Sequence, residues 1–337
     1  MNSYKRGRQS FVFPSPPVIT HWASVAGKKE SDGPLKTYYD ITSQDMYWGQ
    51  KTWEQGEKQM QRIALNKLAE KAEMKSEDFD IVMSGDLLNQ CIGSSFTLRN
   101  SGIPHIGLYG ACSTMAESLL TASMAVGGGF FHNAVAMTSS HFASSERQYR
   151  FPLGYGGQRT PTAQWTVTGA GAALIAPHGV GPKICACTVG TVTDLGVKDA
   201  ANMGAAMAPA ALDTIMKHFN DLSVTADDFD LIVTGDLGQV GKDALLTLAQ
   251  REGLNLGGKL VDCGTMVFDT LKQDVHAGGS GCGCSAIVLC GYLLNRLKKG
   301  KIKRLLFCGT GALLSPVSTQ QNLPIPGICH AICITGG

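Results

Sequence analysis

The sequence carries two copies of one pattern, and this duplication limits the folds open to the chain. Residues 78–87 read DFDIVMSGDL, and residues 228–237 read DFDLIVTGDL. The differences between the copies exchange similar side chains, and each copy is a short apolar run that leads into Gly and Asp. Such a run is typical of a buried strand followed by a turn. The chain is therefore expected to consist of two similar halves.

The flanks of the two copies agree with a repeat. Helical spacing of apolar residues precedes each copy, at 57–73 and 206–219, and another helical segment follows each copy, at 94–99 and 242–252. A short strand that ends at a cysteine turn, a further helix and a second buried strand then complete each half. This repeated order of strand, helix and strand predicts parallel sheets with right-handed crossovers in an α/β fold.

The two halves are predicted to span residues 1–180 and 181–337. A chain of 337 residues exceeds the usual size of one hydrophobic core, which agrees with this division. An excursion at about 144–167 is rich in Gly, Arg and aromatic residues in its first part, so it is expected to run over the surface or across an interface. The small residues of 168–173 predict a strand that packs closely against a neighbouring backbone.

Composition excludes several classes of function. The formal net charge of +2 gives no basis for a nucleic-acid partner. The sequence has no phosphate-binding loop and no dinucleotide fingerprint. The 11 cysteines are odd in number and scattered through apolar runs, which indicates reduced thiols in a cytosol-like compartment. Cys282 and Cys284 do not form a metal site, since no second pair stands at zinc spacing.

Membrane contact is expected to be indirect or peripheral. No apolar run is long enough to span a bilayer, and no secretory leader is present, so a protein that is not secreted is expected. Lys5, Arg6 and Arg8 could touch an anionic surface, but a frayed and solvated tail is the expected arrangement of this segment.

One stretch has the features of a nucleophile. Gly110 to Thr114 stands between an apolar strand, 106–109, and a segment with helical spacing, 115–126. Its cysteine, Cys112, would lie near unpaired N–H groups and the positive end of the helix dipole, which favour the thiolate. The alternative is that Cys112 is a buried structural residue, as free cysteines commonly are.

The duplicated halves, the Gly110 to Thr114 turn and the small-residue strand at 168–173 together resemble the thiolase superfamily, which includes thiolases and ketoacyl synthases. The resemblance covers most of the chain from about residue 57 onward. It implies a five-layered αβαβα fold with mixed, largely parallel sheets and a homodimer. It also implies a nucleophilic cysteine, which Cys112 would match.

The other catalytic positions of this superfamily differ here. Ketoacyl synthases have a histidine where this sequence has Gly235 or Asp236, and an asparagine that would fall near Gly283. Thiolases use a histidine and a second cysteine, for which His276 and Cys308 are the candidates, as base and proton carrier beside the nucleophile. His276 is also explained as a turn or core histidine, and Cys308 as a buried core residue.

More narrowly, the whole sequence resembles a family of sporulation proteins from endospore-forming relatives of Bacillus. That resemblance implies a non-catalytic thiolase-like protein that binds dipicolinic acid, as its calcium chelate, for uptake into the developing spore and release on germination. It implies peripheral association with the spore inner membrane, on the cytoplasmic side of the developing spore system, and stage V sporulation A membrane proteins as partners. No cofactor is expected, except calcium that arrives with the ligand.

A flat aromatic dicarboxylate needs guanidinium groups, N–H donors at a helix start and an aromatic wall. The candidate ligand-binding residues are Cys112, Ser113, Arg147, Arg150, Tyr155, Arg159, Asp236 and His276. The arginines are equally consistent with solvated side chains or dimer contacts. Asp86 and Asp236, which end the two copies of the repeat, could supply oxygens to calcium or could cap turns.

Two other functions are open on the sequence. The chain could be an acyltransferase of the thiolase or ketoacyl synthase type, with Cys112 accepting an acyl group from a thioester. It could also be chiefly a scaffold for membrane partners, since an interface made of ordinary surface residues leaves no mark in a sequence.

Overall fold

The computed structural model describes residues 4–149 and 157–337. The strands in this part are β1 (Lys5–Arg6), β2 (Ser10–Val12), β3 (Val18–Ala26), β4 (Ile41–Thr42), β5 (Val82–Gly85), β6 (His105–Gly107), β7 (Ala134–Ser140), β8 (Trp165–Thr166), β9 (Gly169–Ala176), β10 (Lys183–Thr188), β11 (Leu231–Thr234), β12 (Leu260–Asp262), β13 (Gly279–Ser280), β14 (Arg304–Ala312) and β15 (Gly327–Thr335). The helices are α1 (Trp53–Lys71), α2 (Ile92–Leu98), α3 (Thr114–Gly127), α4 (Phe142–Tyr149), α5 (Met203–Leu222), α6 (Gly238–Arg251), α7 (Cys263–Val267), α8 (Cys282–Val288), α9 (Leu294–Lys298) and α10 (Pro316–Gln320). No helix within these described ranges is both long and apolar enough to cross a membrane.

Two five-stranded units with the same strand order form the framework. The first half has the order β6-β5-β7-β9-β3, and the second half has the order β12-β11-β14-β15-β10. In each unit the first three strands run parallel to one another. The fourth strand, β9 or β15, runs antiparallel to both of its neighbours. The units meet where β3 and β10 pair, at Val18 and Lys183. The structure therefore confirms the duplication that the sequence predicts, in a mixed sheet.

The helices lie in three layers around these units. Helix α3 contacts β5 and β7 of the first unit and β14 and β15 of the second, so it lies between the two five-stranded units. Helix α1 covers the outer face of the first unit, and α5 covers that of the second. This order of helix, sheet, helix, sheet and helix is the expected five-layered αβαβα fold.

The small residues of β9 allow a close approach between layers. A Cβ atom at Gly171 would lie 2.6 Å from the carbonyl oxygen of Ala286, which belongs to α8. A Cβ atom at Gly169 would lie 2.6 Å from the Cγ2 atom of Ile287. The prediction that this strand packs tightly against a neighbouring backbone is confirmed.

Residues 5–12 form an ordered hairpin, so the expectation that the segment with Lys5, Arg6 and Arg8 is frayed is wrong. Strands β1 and β2 form a hairpin, and β2 pairs with β10 in the second half. Asp221 accepts hydrogen bonds from the backbone N–H of Gln9 (3.3 Å), the backbone N–H of Ser10 (3.2 Å) and the Ser10 hydroxyl (2.9 Å). Because these contacts join positions far apart in the chain, local composition did not indicate them.

The excursion also begins differently from the prediction. Residues 142–149 form α4 rather than an irregular loop. The stacked rings of Phe142 and Trp165, with centroids 3.8 Å apart, join the start of this helix to β8. The aromatic and arginine content of the segment hid a short helix that tertiary contacts stabilise.

An isolated acid lies under β9. Glu30 is fully buried, and its Oε1 atom accepts a hydrogen bond of 3.0 Å from the backbone N–H of Thr168. Its Oε2 atom has no hydrogen-bond donor among the described residues. Burial raises the pKa of this carboxyl to about 7, because the charged form loses its hydration.

We expect Glu30 to make the protein less stable as the pH rises. A carboxyl whose pKa is higher in the folded state than in the unfolded state stabilises the fold fully below the unfolded value, and this contribution is lost as the pH rises through the folded value, about 7 here. Glu30→Gln should remove this dependence. The free energy of unfolding of the variant, relative to that of the wild type, should therefore rise by up to about 3 kcal/mol from about pH 5 to pH 8.5. Urea unfolding at both pH values measures the difference. Glu77→Gln, at a side chain that is 70% exposed, is the control, and parallel pH profiles of the wild type and Glu30→Gln would contradict the expectation.

Candidate functional site

The Cys112 turn is held by its own side chains. After β6 the chain enters a turn of 3-10 helix, 111–113, and then α3. Ala111 has a φ of 51°, which is a left-handed conformation that residues other than glycine rarely adopt. The Thr114 hydroxyl accepts from the backbone N–H of Gly110 (3.1 Å) and donates to the carbonyl of Ala111 (2.6 Å). The Ser113 hydroxyl donates to the carbonyl of Gly110 at 2.7 Å, so its proton is used within the turn.

This turn forms one wall of a cavity of about 300 Å³. The walls are mainly apolar, with a few polar groups that converge on the space, as is usual for small-molecule sites. The lining residues most relevant to binding are Leu87, Cys112, Glu146, Gln158, Arg159, Gln164, Thr166, Met203 and Leu314. The cavity lies between elements of both halves, because Cys112 belongs to the first half and Leu314 to the second.

Asp236 contacts the thiol of Cys112. The Cys112 thiol donates a hydrogen bond to the carboxylate of Asp236, which follows β11 and is fully buried. The same carboxylate accepts hydrogen bonds from the backbone N–H of Gly281 (2.8 Å) and the hydroxyl of Thr310 (2.9 Å). These donors satisfy both carboxylate oxygens, so Asp236 is a fixed acceptor within the protein.

The charge state of Cys112 is the opposite of the expectation. Burial, followed by the negative charge of Asp236, raises the pKa of the Cys112 thiol well above its usual value. Burial also raises the pKa of Asp236, to about 6, while the donors from Gly281, Cys112 and Thr310 limit that rise. The turn therefore holds a neutral thiol beside a carboxylate, and the prediction that the helix start favours the thiolate is wrong.

We expect Cys112 to react slowly with iodoacetamide near neutral pH, because the thiolate is the reactive form. Asp236→Asn removes the negative charge and should raise the rate at Cys112 by about tenfold or more, since each pKa unit changes the thiolate fraction tenfold. Peptide mass spectrometry follows the rate at each cysteine. Cys185, which is only partly buried, is the internal reference. An unchanged rate at Cys112 in Asp236→Asn would mean that access, rather than charge, limits the reaction.

The position of the missing asparagine has little room for a side chain. Gly283 lies in the first turn of α8, and a Cβ atom there would overlap the Ser140 hydroxyl and lie 2.6 Å from the carbonyl oxygen of Gly169. A Cβ atom at Gly235 would lie 3.0 Å from the backbone nitrogen of Thr310, which leaves little room for a larger group. Backbone packing therefore disfavours an asparagine or a histidine at these two positions.

No described histidine lines the cavity, although all eight histidines lie in the described ranges. His276, with a φ of 52°, is about one quarter exposed, and its Nε2 atom lies 3.3 Å from Oδ1 of Asp274. Cys308 is fully buried in the core of the second half, where its thiol contacts Cys329. The structure places neither His276 nor Cys308 on the cavity wall, so Cys112 lines the space without the two thiolase-type partners.

The predicted ligand-binding residues divide into three groups. Cys112 and Arg159 line the cavity, and Asp236 and Ser113 lie behind its wall. Arg147 and His276 do not line it, and the Nη2 atom of Arg147 pairs with Glu54 at 2.6 Å. The remaining predictions, Arg150 and Tyr155, fall outside the described residues.

Asp86, like Asp236, has its oxygens occupied by protein donors. It accepts from the backbone N–H of Leu88 (3.0 Å) and from both the N–H and the hydroxyl of Ser94 (2.7 Å each). The capping role that the sequence left open is the one seen for Asp86. In residues 4–149 and 157–337, no group of three or more His, Cys, Asp or Glu side chains could hold a metal ion.

Three site residues were missed by sequence reasoning. Gln164 donates to the carbonyl oxygens of Asp236 (2.7 Å) and Gly279 (2.8 Å), and so joins the wall of the cavity to the turn after β11. Thr310 holds Asp236, and Glu146 lines the cavity while accepting from the Thr166 hydroxyl at 2.9 Å. Gln164 and Glu146 lie in the excursion, where no periodicity indicated which side chains face inward.

Comparison with known proteins supports the fold described above and identifies one protein family that matches the chain. The model of the family described as stage V sporulation protein AD matches residues 7–335. A curated protein of Bacillus subtilis (strain 168), stage V sporulation protein AD, is 45% identical over 326 residues, which cover 97% of this chain and 96% of that protein.

Solved structures with similar folds are much more distant in sequence. Cerulenin-bound OleA from Xanthomonas campestris has a TM-score of 0.61 at 15% identity, and the match covers 96% of this chain and 97% of that one. The 3-oxoacyl-[acyl-carrier-protein] synthase III of Aquifex aeolicus VF5 has a TM-score of 0.58 at 12% identity, covering 95% of this chain and 99% of that one. At these identities the likeness shows the fold alone.

Proposed function

Because this chain belongs to the stage V sporulation protein AD family, and so is a sporulation protein with a thiolase-like fold, we propose that it binds dipicolinic acid in the Cys112 cavity without converting it. The ligand is proposed to be the calcium chelate, taken up into the developing spore and released on germination. The observation that carries the non-catalytic part is the lining of the cavity: Cys112 stands beside the buried carboxylate of Asp236, and no described histidine lines the space.

The cavity offers suitable contacts for a flat ring with carboxylates. Arg159 supplies a guanidinium group, which can bind a carboxylate through two parallel hydrogen bonds. Gln158 adds an amide group, and Leu87, Met203 and Leu314 supply apolar surface. A cavity of about 300 Å³ is at the small end of the range for ligand sites, which favours a compact molecule over a long acyl chain.

The calcium in this proposal is bound chiefly by the ligand. Asp86 and Asp236 are occupied by protein donors, so they do not provide free oxygens. Glu146 lines the cavity and is the acidic residue proposed to contact the cation of the chelate. Among the described lining residues, the pairing of Arg159 with Glu146 suits a ligand that carries both carboxylates and a bound cation better than a bare dianion.

Isothermal calorimetry with dipicolinate, with and without calcium, tests the binding proposal. Saturable heat that is larger or tighter with calcium is expected, and flat traces under both conditions would exclude this ligand.

The alternative function, acyl transfer through Cys112, has a separate test. Incubation with acyl-CoA followed by intact-mass measurement should show no adduct, and a stoichiometric adduct that disappears in Cys112→Ala would establish acyl transfer instead.

The exposed edge of the first half supports the proposal of a homodimer. Strand β6 ends the sheet, and Ile92, Phe96, Ile106 and Tyr109 on or beside it are 38% to 45% exposed. The equivalent edge of the second half, at α6 and β12, has no large hydrophobic residue of comparable exposure. An apolar edge on one of two duplicated units is what a surface covered by a second copy requires.

Ile106→Asp is therefore expected to convert a dimer into a monomer, because the new charge would be buried at the interface. Light scattering after gel filtration measures the mass. Leu271→Asp, at a side chain that is 96% exposed in the second half, should leave the dimer intact. A monomeric wild type at micromolar concentration would refute the dimer.

The proposed partners in the cell are the stage V sporulation A membrane proteins, with peripheral association at the spore inner membrane. The family name supports this assignment. Affinity capture of the tagged chain from spore membranes tests it, and recovery of the protein only from the non-membrane fraction would argue against both the partners and a scaffold role.

A further inference from the structure

The N-terminal hairpin and the end of α3 form a surface that the proposed function does not use. We name this surface the hairpin face and define it by Tyr4, Lys5, Arg8, Met124 and Phe130. The side chains of Tyr4, Met124 and Phe130 are 47%, 49% and 79% exposed. A groove of about 410 Å³ crosses the face, and Lys5 and Arg8 stand on its wall with aromatic side chains beside them.

The groups of the hairpin face are held in place. The Tyr4 hydroxyl donates to the carbonyl of Gly127 (3.4 Å), which ties the hairpin to the end of α3. The backbone N–H of Val12 donates to the backbone carbonyl of Tyr4 (2.8 Å), and the backbone N–H of Phe13 donates to the backbone carbonyl of Cys185 (3.0 Å). The rings of Tyr4 and Phe13 meet edge to face, with centroids 6.5 Å apart. The basic residues therefore project from a fixed hairpin.

Lys5 and Arg8, the two charged side chains that define the hairpin face, are both basic. Residues 1–13 and 118–133 contain Lys5, Arg6 and Arg8 and no aspartate or glutamate. Two acids that contact these segments, Asp221 and Asp80, accept hydrogen bonds from their backbone N–H groups. Basic side chains mixed with exposed aromatic and apolar side chains are the composition that favours the headgroup region of an anionic bilayer.

We propose that the hairpin face docks directly on an anionic lipid bilayer. Lys5 and Arg8 bind the headgroups, and Phe130 and Met124 enter the interface between headgroups and acyl chains. This proposal deepens the peripheral membrane association proposed above by giving it a lipid-binding surface. It does not depend on the identity of the ligand in the Cys112 cavity.

The position of the face fits this role. Cys112 precedes the start of α3 and Gly128 follows its end, so 14 helical residues, or about 20 Å, separate the cavity wall from the hairpin face. A bilayer bound at the hairpin face would therefore lie about 20 Å from the Cys112 wall of the cavity.

Co-sedimentation of the full chain with vesicles tests the proposal. We expect binding to vesicles that contain phosphatidylglycerol, little binding to pure phosphatidylcholine vesicles, and weakening of the binding as salt rises. The double variant Lys5→Glu/Arg8→Glu should bind the anionic vesicles at least about tenfold more weakly, since each basic residue near such a surface contributes several-fold. Phe130→Ser should weaken binding several-fold with unchanged salt dependence.

Matched controls separate this face from general effects of charge. Lys299→Glu/Lys301→Glu reverses two exposed charges elsewhere, and Leu271→Ser removes an exposed apolar side chain in the second half. Neither control should lose vesicle binding. Equal binding to neutral vesicles, equal losses in the controls, or no binding by the wild type would overturn the proposal. All variants should keep the melting temperature and the dipicolinate affinity of the wild type. Loss of vesicle binding can therefore be distinguished from loss of ligand binding.

Discussion

Gly283→Ala is expected to destabilise the protein by about 3 kcal/mol or more, because overpacking at a rigid contact costs this much when the neighbours cannot move. The new Cβ atom would overlap the Ser140 hydroxyl, which itself donates to the carbonyl of Val167 at 2.6 Å. On its other side the carbonyl of Gly169 lies 2.6 Å away and is part of β9. The backbone nitrogen of Ser140 would also lie 2.7 Å from the new Cβ atom, so backbone atoms of Ser140 and Gly169 confine it even if the Ser140 hydroxyl moves.

Gly283→Asn should be worse, since it adds a buried amide to the same overlap. We expect no folded Gly283→Asn to accumulate on expression at about 37 °C, given the marginal stability of folded chains. Urea unfolding of Gly283→Ala measures the smaller effect. Gly157→Ala, at a glycine where no atom of the described residues lies within 4 Å of a new Cβ, should change stability little. A stable Gly283→Asn that gained acyl transfer would show that the backbone can move and that the catalytic site can be restored.

Arg159→Ala is expected to weaken dipicolinate binding by about tenfold to a hundredfold, because hydrogen bonds to charged groups contribute about 1.5–3 kcal/mol. Arg159 lines the cavity, donates to the carbonyl of Gln164 and lies with its guanidinium carbon 4.9 Å from the centre of the Trp165 ring. These contacts hold the guanidinium group at the wall of the cavity, where a carboxylate is proposed to bind. Calorimetry with the calcium chelate measures the loss.

The matched control is Arg147→Ala. Arg147 belongs to the same excursion and pairs with Glu54, with its guanidinium carbon 5.7 Å from the centre of the Trp53 ring, but it does not line the cavity. Its variant should keep the wild-type affinity. Arg159→Lys should fall between the two, since a lysine keeps the charge but loses the two-pronged geometry. Equal affinities of the Arg159 and Arg147 variants would place the ligand elsewhere, and melting temperatures would show whether Arg159→Ala also loosens the cavity wall.

Several parts of the site follow from local sequence. The repeat at 78–87 and 228–237 places β5 and β11 at the same position of two units, as the structure confirms. The turn before α3 and the tight packing of β9 are also as predicted. These features depend on neighbours in sequence, because turn residues, apolar periodicity and small side chains act over a few positions.

Other parts needed contacts between distant segments. Arg147 and Arg159 are the same residue type in the same excursion, yet of these two only Arg159 lines the cavity. No sequence pattern indicated the role of Gln164, because that role comes from hydrogen bonds to two carbonyl groups in the second half, those of Asp236 and Gly279. The hairpin at 5–12 was expected to fray, and pairing with β10 orders it.

The charge state of Cys112 shows the boundary between these two kinds of information most clearly. The sequence by itself determined the duplicated α/β fold and a cysteine at the start of a helix, because both follow from patterns within short segments. Only the tertiary structure decided that this cysteine is a neutral thiol. The fold buries it and brings the carboxylate of Asp236 from the other half into contact with it. Burial and a neighbouring negative charge outweigh the helix start, since both penalise the thiolate where little water remains to screen it.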